Sequence, residues 1–363
     1  MKRSNSSTFH LNAASVEDFV EFIEGANCLA LEPTGKNYSE LWATIAETHN
    51  VSVRWVGHPE VKYLRKSERL PDKNDQADAL ALATYALKNW EKETAFLRFE
   101  PGAIAEINET YLDIKGLKAN NTATINRCRA KLASSFPEVA FSGSAPGIDG
   151  LSPLFSWVAE RARYTDRGKN RYDRLYNSSV GPRYGKTITS HTRYLANQIC
   201  DNHIQEALLR NRLSSLVYDR LEFAKFNQVF DLFGFGLMAR AMLLVRTYPL
   251  SRFESEGAFK RRLGFGQEER SSGQIESFSS SGSAIAKSEL YNWSRTSVGK
   301  KRLISTVGLE VQAKFDEYKA KLNSNSDGQE KGQTGKFTNL VHSRTIAFTL
   351  RRLFPLLKKN CVD

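Results

Sequence analysis

Three carboxylates occupy positions from which they could act together. Glu32 ends a short apolar run at a Pro-Thr-Gly turn, and farther along the chain Asp75 and Asp78 stand three residues apart. On a helix this spacing puts both aspartates on one face, with Cβ atoms about 5–6 Å apart. Like charges at that distance repel unless a cation lies between them. Carboxylates gathered around a hard divalent cation, Mg²⁺ or Mn²⁺, are typical of phosphodiester cleavage.

Each of these carboxylates also has a simpler interpretation. Asp75 and Asp78 could form a solvated acidic helix face, and Glu32 could be a loop residue that caps the next helix. Both alternatives stay open at the level of residue types and spacing.

A second candidate region is strongly basic. Residues 161–195 contain nine basic residues against two aspartates. Eight of the nine are the candidate nucleic-acid-binding residues, namely Arg161, Arg163, Arg167, Lys169, Arg171, Arg174, Arg183 and Lys186. Five tyrosines interleave with them: Tyr164, Tyr172, Tyr176, Tyr184 and Tyr194. Cations that hold phosphates and rings that stack on bases together suit RNA or single-stranded DNA, although a solvated basic loop has the same composition.

A paired-glycine turn follows at Phe233-Gly234-Phe235-Gly236, directly before a predicted helix. Glycines ahead of a helix N-terminus can bring backbone N–H groups to a phosphate, so Gly234 and Gly236 are further candidate nucleic-acid contacts. A tight turn between two helices needs the same residues.

The bulk composition agrees with a polyanion partner. The 363-residue chain has a formal net charge of +12, which favours binding to nucleic acid because neutralised phosphates release counterions. Its four cysteines lie far apart and are expected to be reduced thiols. No membrane span and no signal peptide are predicted, so we expect a cytoplasmic protein.

The apolar periodicity predicts an α/β region followed by long helices. Helices are expected at 16–23, 38–49 and 75–87, with Ser15 as N-cap of the first, and strands at 28–31 and 51–56. Strand, helix and strand at this spacing indicate a βαβ unit with parallel strands. Long helices are expected over about 101–136 and 195–230, with a Ser/Gly-rich segment at 269–283.

Several motifs in order resemble the DEDD transposases of bacterial insertion sequences, which include the Piv-type invertases and the bridge-RNA-guided, serine-bearing recombinases. Residues 31–35 match that family's apolar-Glu-Ala-Thr-Gly segment, and residues 73–79 match its Lys-Thr-Asp-x-x-Asp-Ala segment. Residues 126–137 resemble its Asn-Arg helix ending in Phe-Pro. Gly234 and Gly236 stand where the family has Pro-Gly-Ile-Gly, and Ser272-Gly273 matches its Gln-Ser-Gly.

The resemblance implies a domain plan. Residues 1–100 would form a RuvC-like domain with an RNase H-like fold, and 101–230 a helical hairpin with a basic insertion at 140–200. Residues 231–322 would form a mainly helical, serine-bearing domain, 323–336 a linker and 337–363 a C-terminal basic helix.

The resemblance also implies site roles. Glu32, Asp75 and Asp78 would be ligands of Mg²⁺ or Mn²⁺, and Ser272 would be the nucleophile that joins to DNA, with its neighbour Ser271 as the alternative. The expected partners are DNA, a guide RNA and further copies of the chain, as a dimer or tetramer. Ser272 would have to reach the metal by movement of its loop or from another protomer.

One feature of the family has no counterpart in this sequence. The family's first domain begins with an apolar strand that carries its first aspartate, whereas residues 10–14 already resemble the segment after that strand. The sequence therefore predicts a first domain that lacks this strand and its metal ligand. The resemblance thus favours a recombinase with a serine nucleophile, and two alternatives remain: an inactive nucleic-acid-binding protein, and a RuvC-like junction nuclease that uses water.

Overall fold

The computed structural model describes residues 7–33, 36–70, 74–97, 102–147, 150–161, 166–272, 275–281, 283–324 and 334–361. The chain forms two units, Met1–Phe99 and Glu100–Asp363. Both are mainly helical, and each contains one two-stranded sheet among the described residues.

Among its described residues, the first unit has four helices, two strands and a short 3₁₀ turn at Glu93–Ala95. In chain order the elements are α1 (Ala13–Ile23), β1 (Cys28–Leu31), α2 (Lys36–Thr48), β2 (Ser52–Trp55), α3 (His58–Ser67) and α4 (Asp75–Lys88). Strands β1 and β2 are parallel, with Cys28 opposite Ser52 and Leu31 opposite Trp55. The predicted βαβ unit is confirmed, because parallel neighbours require a crossover and α2 supplies it.

Helix α1 begins three residues earlier than predicted. Its N-cap is Asn12, whose side-chain oxygen accepts a hydrogen bond from the Ser15 N–H at 3.0 Å. The expectation of Ser15 as N-cap was wrong, because asparagine is at least as good a cap and the helix extends to it. Phe19 and Ile23 lie one turn apart on the buried face and pack against Ala46.

Two long helices form the framework of the second unit. Helix α5 (Ala103–Ser135) is about 50 Å long at the usual helical rise. It packs against α10 (Ser190–Tyr218), which runs in the opposite direction: Ile107 shares a core with Leu213, whereas Leu132 shares another with Leu195. Each helix therefore contributes to two separate cores, one at each end of the pair.

The remaining elements lie toward the two ends of this helix pair. At one end lie α6 (Pro137–Ala140), α7 (Pro153–Val158), α8 (Asp166–Asn177) and α9 (Val180–Arg183). At the other lie α11 (Ala224–Leu232), α12 (Leu237–Thr247), α13 (Glu256–Arg262), β3 (Gly266–Ser272), β4 (Ile275–Ser281), α14 (Ala284–Trp293), α15 (Thr306–Ser324) and α16 (Thr334–Cys361). No helix in the described part of the chain is long and apolar enough to cross a bilayer.

The Ser/Gly-rich segment forms an antiparallel hairpin. Strands β3 and β4 pair from Gly266 opposite Ser281 to Ser272 opposite Ile275. The sequence analysis identified no strand here, because both strands are rich in Ser and Glu and lack alternating apolar residues. Backbone pairing with a partner strand, which periodicity does not report, defines the element.

The paired-glycine turn lies inside the larger core. Phe233 and Phe235 are buried, and Gly234 has a left-handed φ of 58°. Arg240, also buried, donates from Nε to the Phe235 carbonyl at 2.6 Å and from Nη1 to Asn227 Oδ1 at 3.2 Å. The turn is therefore held by core packing and by a guanidinium.

The two glycines of this turn should respond differently to substitution. A Cβ on Gly234 would lie 2.7 Å from Leu303 Cδ2 with φ still positive, whereas a Cβ on Gly236 meets nothing within 4 Å. We expect Gly234→Ala to lower the free energy of unfolding by about 1–2 kcal/mol, and the matched Gly236→Ala by about 0.5 kcal/mol. Urea unfolding measures both, and equal losses would contradict the described turn.

Candidate functional site

The candidate site of the first unit lies where its two parallel strands end. Glu32 follows β1 directly, and His58 begins α3 just after β2. The Val56 N–H donates to the Leu31 carbonyl at 2.8 Å, which keeps the ends of the strands in register. The carboxyl ends of parallel strands share one edge, the usual position of a ligand site in such sheets.

Helix α4 brings the two aspartates to the same place. Asn74 caps it by accepting from the Ala77 N–H at 2.8 Å, so Asp75 and Asp78 both lie in the first turn. The resulting cleft has a volume of about 670 Å³. Its lining comprises Leu31, Glu32, Tyr38, Ser39, Trp42, His58, Val61, Lys62, Arg65, Asp75, Asp78, Ala79 and Leu82. All three predicted carboxylates thus face one cleft.

Two residues of helix α3 contact two of these carboxylates. Arg65 Nε lies 2.9 Å from Asp78 Oδ1, and both side chains are largely buried. The N–H is not directed at the oxygen, so the contact is an ion pair without an aligned hydrogen bond. Glu32 Oε1 contacts His58 Nδ1. Asp75, in contrast, is exposed at the mouth of the cleft.

The donor set of the cleft suits a hard cation. Its carboxylates present only oxygen atoms, the ligands that Mg²⁺ and Mn²⁺ prefer. Asp78 Oδ1 is buried and accepts no hydrogen bond within the described residues, which leaves a lone pair available. Within the same residues, however, no three His, Cys, Asp or Glu side chains lie close enough to hold one ion together. The residue types of the cleft therefore fit a divalent cation. In this structure Arg65 contacts Asp78 and His58 contacts Glu32.

Ser272, the candidate nucleophile, ends strand β3 in the second unit, opposite Ile275. Its side chain, and that of Ser271, lie outside the described part of the structure. The backbone alone places Ser272 at the end of the hairpin where the two strands connect.

The basic segment divides into structural and exposed residues. Arg161 donates from Nε to Asn197 Oδ1 at 2.9 Å and from Nη2 to Asp201 Oδ1 at 2.7 Å, which ties the end of α7 to α10. Arg171, Arg174, Arg183 and Lys186 are exposed. Arg163 lies outside the described residues, as do the side chains of Arg167 and Lys169.

Two of the interleaved tyrosines belong to a core. Tyr172 is buried, and Tyr176 packs its ring 5.2 Å from that of Phe136 and 5.4 Å from that of Trp157, measured between centroids. The Ile188 N–H donates to the Tyr176 hydroxyl at 3.1 Å. Tyr184 and Tyr194 remain exposed. The expectation that Tyr172 and Tyr176 stack on bases was therefore wrong, because the apolar interior of the insertion needs their rings.

His58 and Arg65 were missed by the sequence analysis. Neither belongs to a recognisable motif, and both depend on how α3 follows β2. One feature of the sequence could have identified His58. The predicted parallel pairing puts the residues that follow both strands at one edge of the sheet, and His58 lies three residues after β2. It was therefore a candidate neighbour of Glu32.

Comparison with protein families relates the first part of the chain to a known family. Residues 3–137 match the family model of the DEDD transposases of the IS110 type, described as a transposase. This segment, which comprises the first unit and helix α5, is similar to that family. Comparison with curated proteins found no match. The three carboxylates lie inside the matched segment, and Ser272 lies beyond it.

The roles of the tyrosines can be tested by truncation. We expect Tyr176→Ala to lower the free energy of unfolding by about 2–3 kcal/mol, because it removes ring packing and a hydrogen-bond acceptor. The exposed Tyr184→Ala should change it by less than about 0.5 kcal/mol. Urea unfolding of both variants measures this. A neutral Tyr176→Ala would contradict its place in the core.

Proposed function

We propose that this protein is a DNA transposase that cuts and rejoins DNA strands, with carboxylates of its first unit and a serine of its second. One observation carries the proposal: Glu32, Asp75 and Asp78, distant in sequence, line one cleft within the segment that matches a transposase family. The first unit would then be a RuvC-like domain.

In this proposal Glu32, Asp75 and Asp78 hold Mg²⁺ or Mn²⁺. Bound there, a divalent cation supplies positive charge beside the phosphate that is attacked. Without metal, Arg65 balances part of the charge of Asp78, and His58 contacts Glu32. Arg65 would leave Asp78 if a stronger cation were bound there.

Ser272 is the proposed nucleophile. Its Oγ forms a bond to phosphorus while the bond from phosphorus to one oxygen of the strand breaks, and that oxygen leaves with a proton. The resulting phosphoserine ester preserves the energy of the bond for rejoining. A serine hydroxyl reacts only when a base or a cation withdraws its proton. Because Ser272 and the carboxylates belong to different units, the reaction requires both units at one phosphate, from one chain or from two protomers.

The proposed partners are DNA, a guide RNA and further copies of the chain, as a dimer or tetramer. The exposed cations Arg171, Arg174, Arg183 and Lys186 support a nucleic-acid surface, with Tyr184 exposed beside them. An exposed ring among exposed cations suits single-stranded or looped nucleic acid, which fits a guide RNA.

A second candidate function is nucleic-acid binding without catalysis. The ion pair between Arg65 and Asp78 favours it, because the chain's own cation then neutralises the site permanently. A third, hydrolysis of DNA junctions by water, uses the same cleft and does not need Ser272.

The proposed nucleophile predicts a covalent intermediate. We expect the protein, mixed with the DNA ends of its element, the element's RNA and Mg²⁺, to form a protein–DNA adduct on a denaturing gel. Ser272→Ala should abolish the adduct and Ser271→Ala should retain it, because only one hydroxyl attacks phosphorus.

Other outcomes of the adduct assay would assign a different activity to the protein. An adduct retained in Ser272→Ala and lost in Ser271→Ala would move the nucleophile by one residue. Cleavage without any adduct, unchanged in both variants, would indicate hydrolysis. DNA binding with no cleavage in the wild type would indicate a binding protein.

The ion pair predicts competition between Arg65 and the metal. We expect Arg65→Gln to raise the affinity for Mn²⁺ about fivefold, since removing a partly buried ion pair of about 1 kcal/mol frees Asp78. Lys66→Gln removes the same charge from an exposed position of α3 and should leave the affinity unchanged. Electron paramagnetic resonance of free Mn²⁺ measures both. An affinity that falls in Arg65→Gln, or no binding in any variant, would overturn the metal site.

A further inference from the structure

A short segment of the second unit combines exposed cations with an exposed isoleucine. Residues 299–304, Gly-Lys-Lys-Arg-Leu-Ile, lie between the π-helical segment Ser294–Val298 and helix α15, and we refer to them as the basic turn. Ile304 is 92% exposed, so a stiff, β-branched apolar side chain stands in water. The exposed cations of the turn are Lys300, Lys301 and Arg302.

Backbone hydrogen bonds hold the basic turn in one conformation. The Lys301 N–H donates to the Val298 carbonyl at 2.9 Å. The Arg302 N–H donates to the Ser297 carbonyl, also at 2.9 Å. With Lys301 in the left-handed region at φ 53°, this is the Schellman arrangement that ends many helices. Glycine is the usual residue at that position because a side chain there is strained, so Lys301 keeps a cation on the turn at a conformational cost.

The two neighbours of Ile304 are anchored. Leu303 is buried in the larger core, and its carbonyl accepts from Gln312 Nε2 at 2.8 Å. The Ser305 hydroxyl accepts from the Gly308 N–H at 2.8 Å in the first turn of α15. The basic turn therefore presents Ile304 to solvent from a rigid backbone.

Exposure alone does not define a site, because single apolar residues are common on protein surfaces. Leu221, in the same unit, is 91% exposed, but it lies between Glu222 and Arg220, which pairs with Glu106. Ile304 differs from Leu221 in its surroundings, since three cations directly precede the buried residue before it. The combination indicates a ligand that is both anionic and able to bury an apolar side chain.

One carboxylate contacts the basic turn. Asp316 Oδ2 lies 3.2 Å from Lys301 Nζ, and both side chains are exposed. An exposed ion pair of this kind contributes little and is screened by salt. Lys301 can therefore exchange Asp316 for a phosphate.

We propose that the basic turn binds the minor groove of duplex DNA, with Ile304 inserted as a wedge between two base pairs. Proteins that kink DNA in this way combine arginine or lysine at the groove with an apolar side chain between base steps. The phosphates and the negative potential of a narrow minor groove attract the cations. Insertion between bases removes the apolar surface of Ile304 from water.

The chemistry of the wedge favours duplex DNA over single-stranded RNA. Unpaired bases are held by flat side chains on which they stack, and an isoleucine has no flat face. A wedge instead separates two stacked pairs and bends the duplex, which brings more DNA onto the protein. DNA as the ligand rests on the proposed function, whereas neither strand cleavage nor the serine is needed for the bend.

The first test compares Ile304→Ala with the matched control Leu221→Ala. The probe is a duplex of about 30 base pairs with a central TA step, because such steps unstack easily. Dyes at its two ends report bending by energy transfer, and 2-aminopurine in place of the adenine of the step reports unstacking. Mg²⁺ and RNA are left out.

We expect wild type and Leu221→Ala to bend the duplex by about 20–90° and to raise the 2-aminopurine fluorescence. Ile304→Ala should lose both signals, with affinity lowered less than about tenfold, because the stacking that is retained offsets the lost apolar burial. Ile304→Phe should recover both signals, since phenylalanine is also an apolar wedge. All of these side chains are exposed, so the variants should unfold at the temperature of wild type.

The second test measures the contribution of the cations to binding. Lys300→Gln should lower the affinity and reduce the slope of log K against log salt by about 1, as for one lost phosphate contact. Lys319→Gln removes the same charge from an exposed position farther along α15 and should match wild type. Fluorescence anisotropy with the same duplex measures both variants.

The proposal is overturned if wild type binds the duplex without bending it, or if Ile304→Ala bends and unstacks it as wild type does. It is also overturned if wild type without DNA sediments as a larger species than Ile304→Ala, which would assign Ile304 to a contact between copies of the chain. These measurements need neither metal nor strand cleavage. Failure of the covalent adduct assay therefore leaves them unaffected, and a straight duplex leaves the proposed nucleophile unaffected.

Discussion

The parallel pairing of β1 with β2 is the constraint on which the candidate site depends. It brings Glu32 and His58, the residues that follow the two strands, to one edge of the sheet, and helix α4 adds Asp75 and Asp78 to the same cleft. Carboxylates that line one cleft repel one another, and partial burial of Asp78 strengthens that repulsion because it removes water. The cleft therefore favours a ligand of positive charge.

The first unit supplies part of the opposite charge itself. Arg65 of helix α3 lies 2.9 Å from Asp78, and His58 contacts Glu32. An internal cation such as Arg65 can be displaced by a stronger one, which makes the cleft suited to exchange.

Packing divides the tyrosines of the basic segment into core residues and exposed residues. Tyr172 and Tyr176 interleave with cations in sequence as Tyr184 does, but they fill the core of the insertion. Phe233 and Phe235 similarly bury the paired-glycine turn, so that Gly234 serves a left-handed turn against Leu303. Aromatic residues near cations become core residues wherever a helix has an apolar face to cover, and composition alone does not report that.

The sequence by itself determined the elements with strong periodicity: the parallel βαβ unit, helix α4 with Asp75 and Asp78 on its first turn, and the long helix α5. The single helix expected over about 195–230 was wrong in extent, because α10 ends at Tyr218 and the separate helix α11 follows it. Periodicity follows from local backbone geometry, so it can be read along the chain. Only the tertiary structure decided which groups meet. The β3–β4 hairpin and the placement of Arg65 against Asp78 both join residues of separate elements. Such contacts depend on how helices and strands fit together, a property that no local pattern encodes.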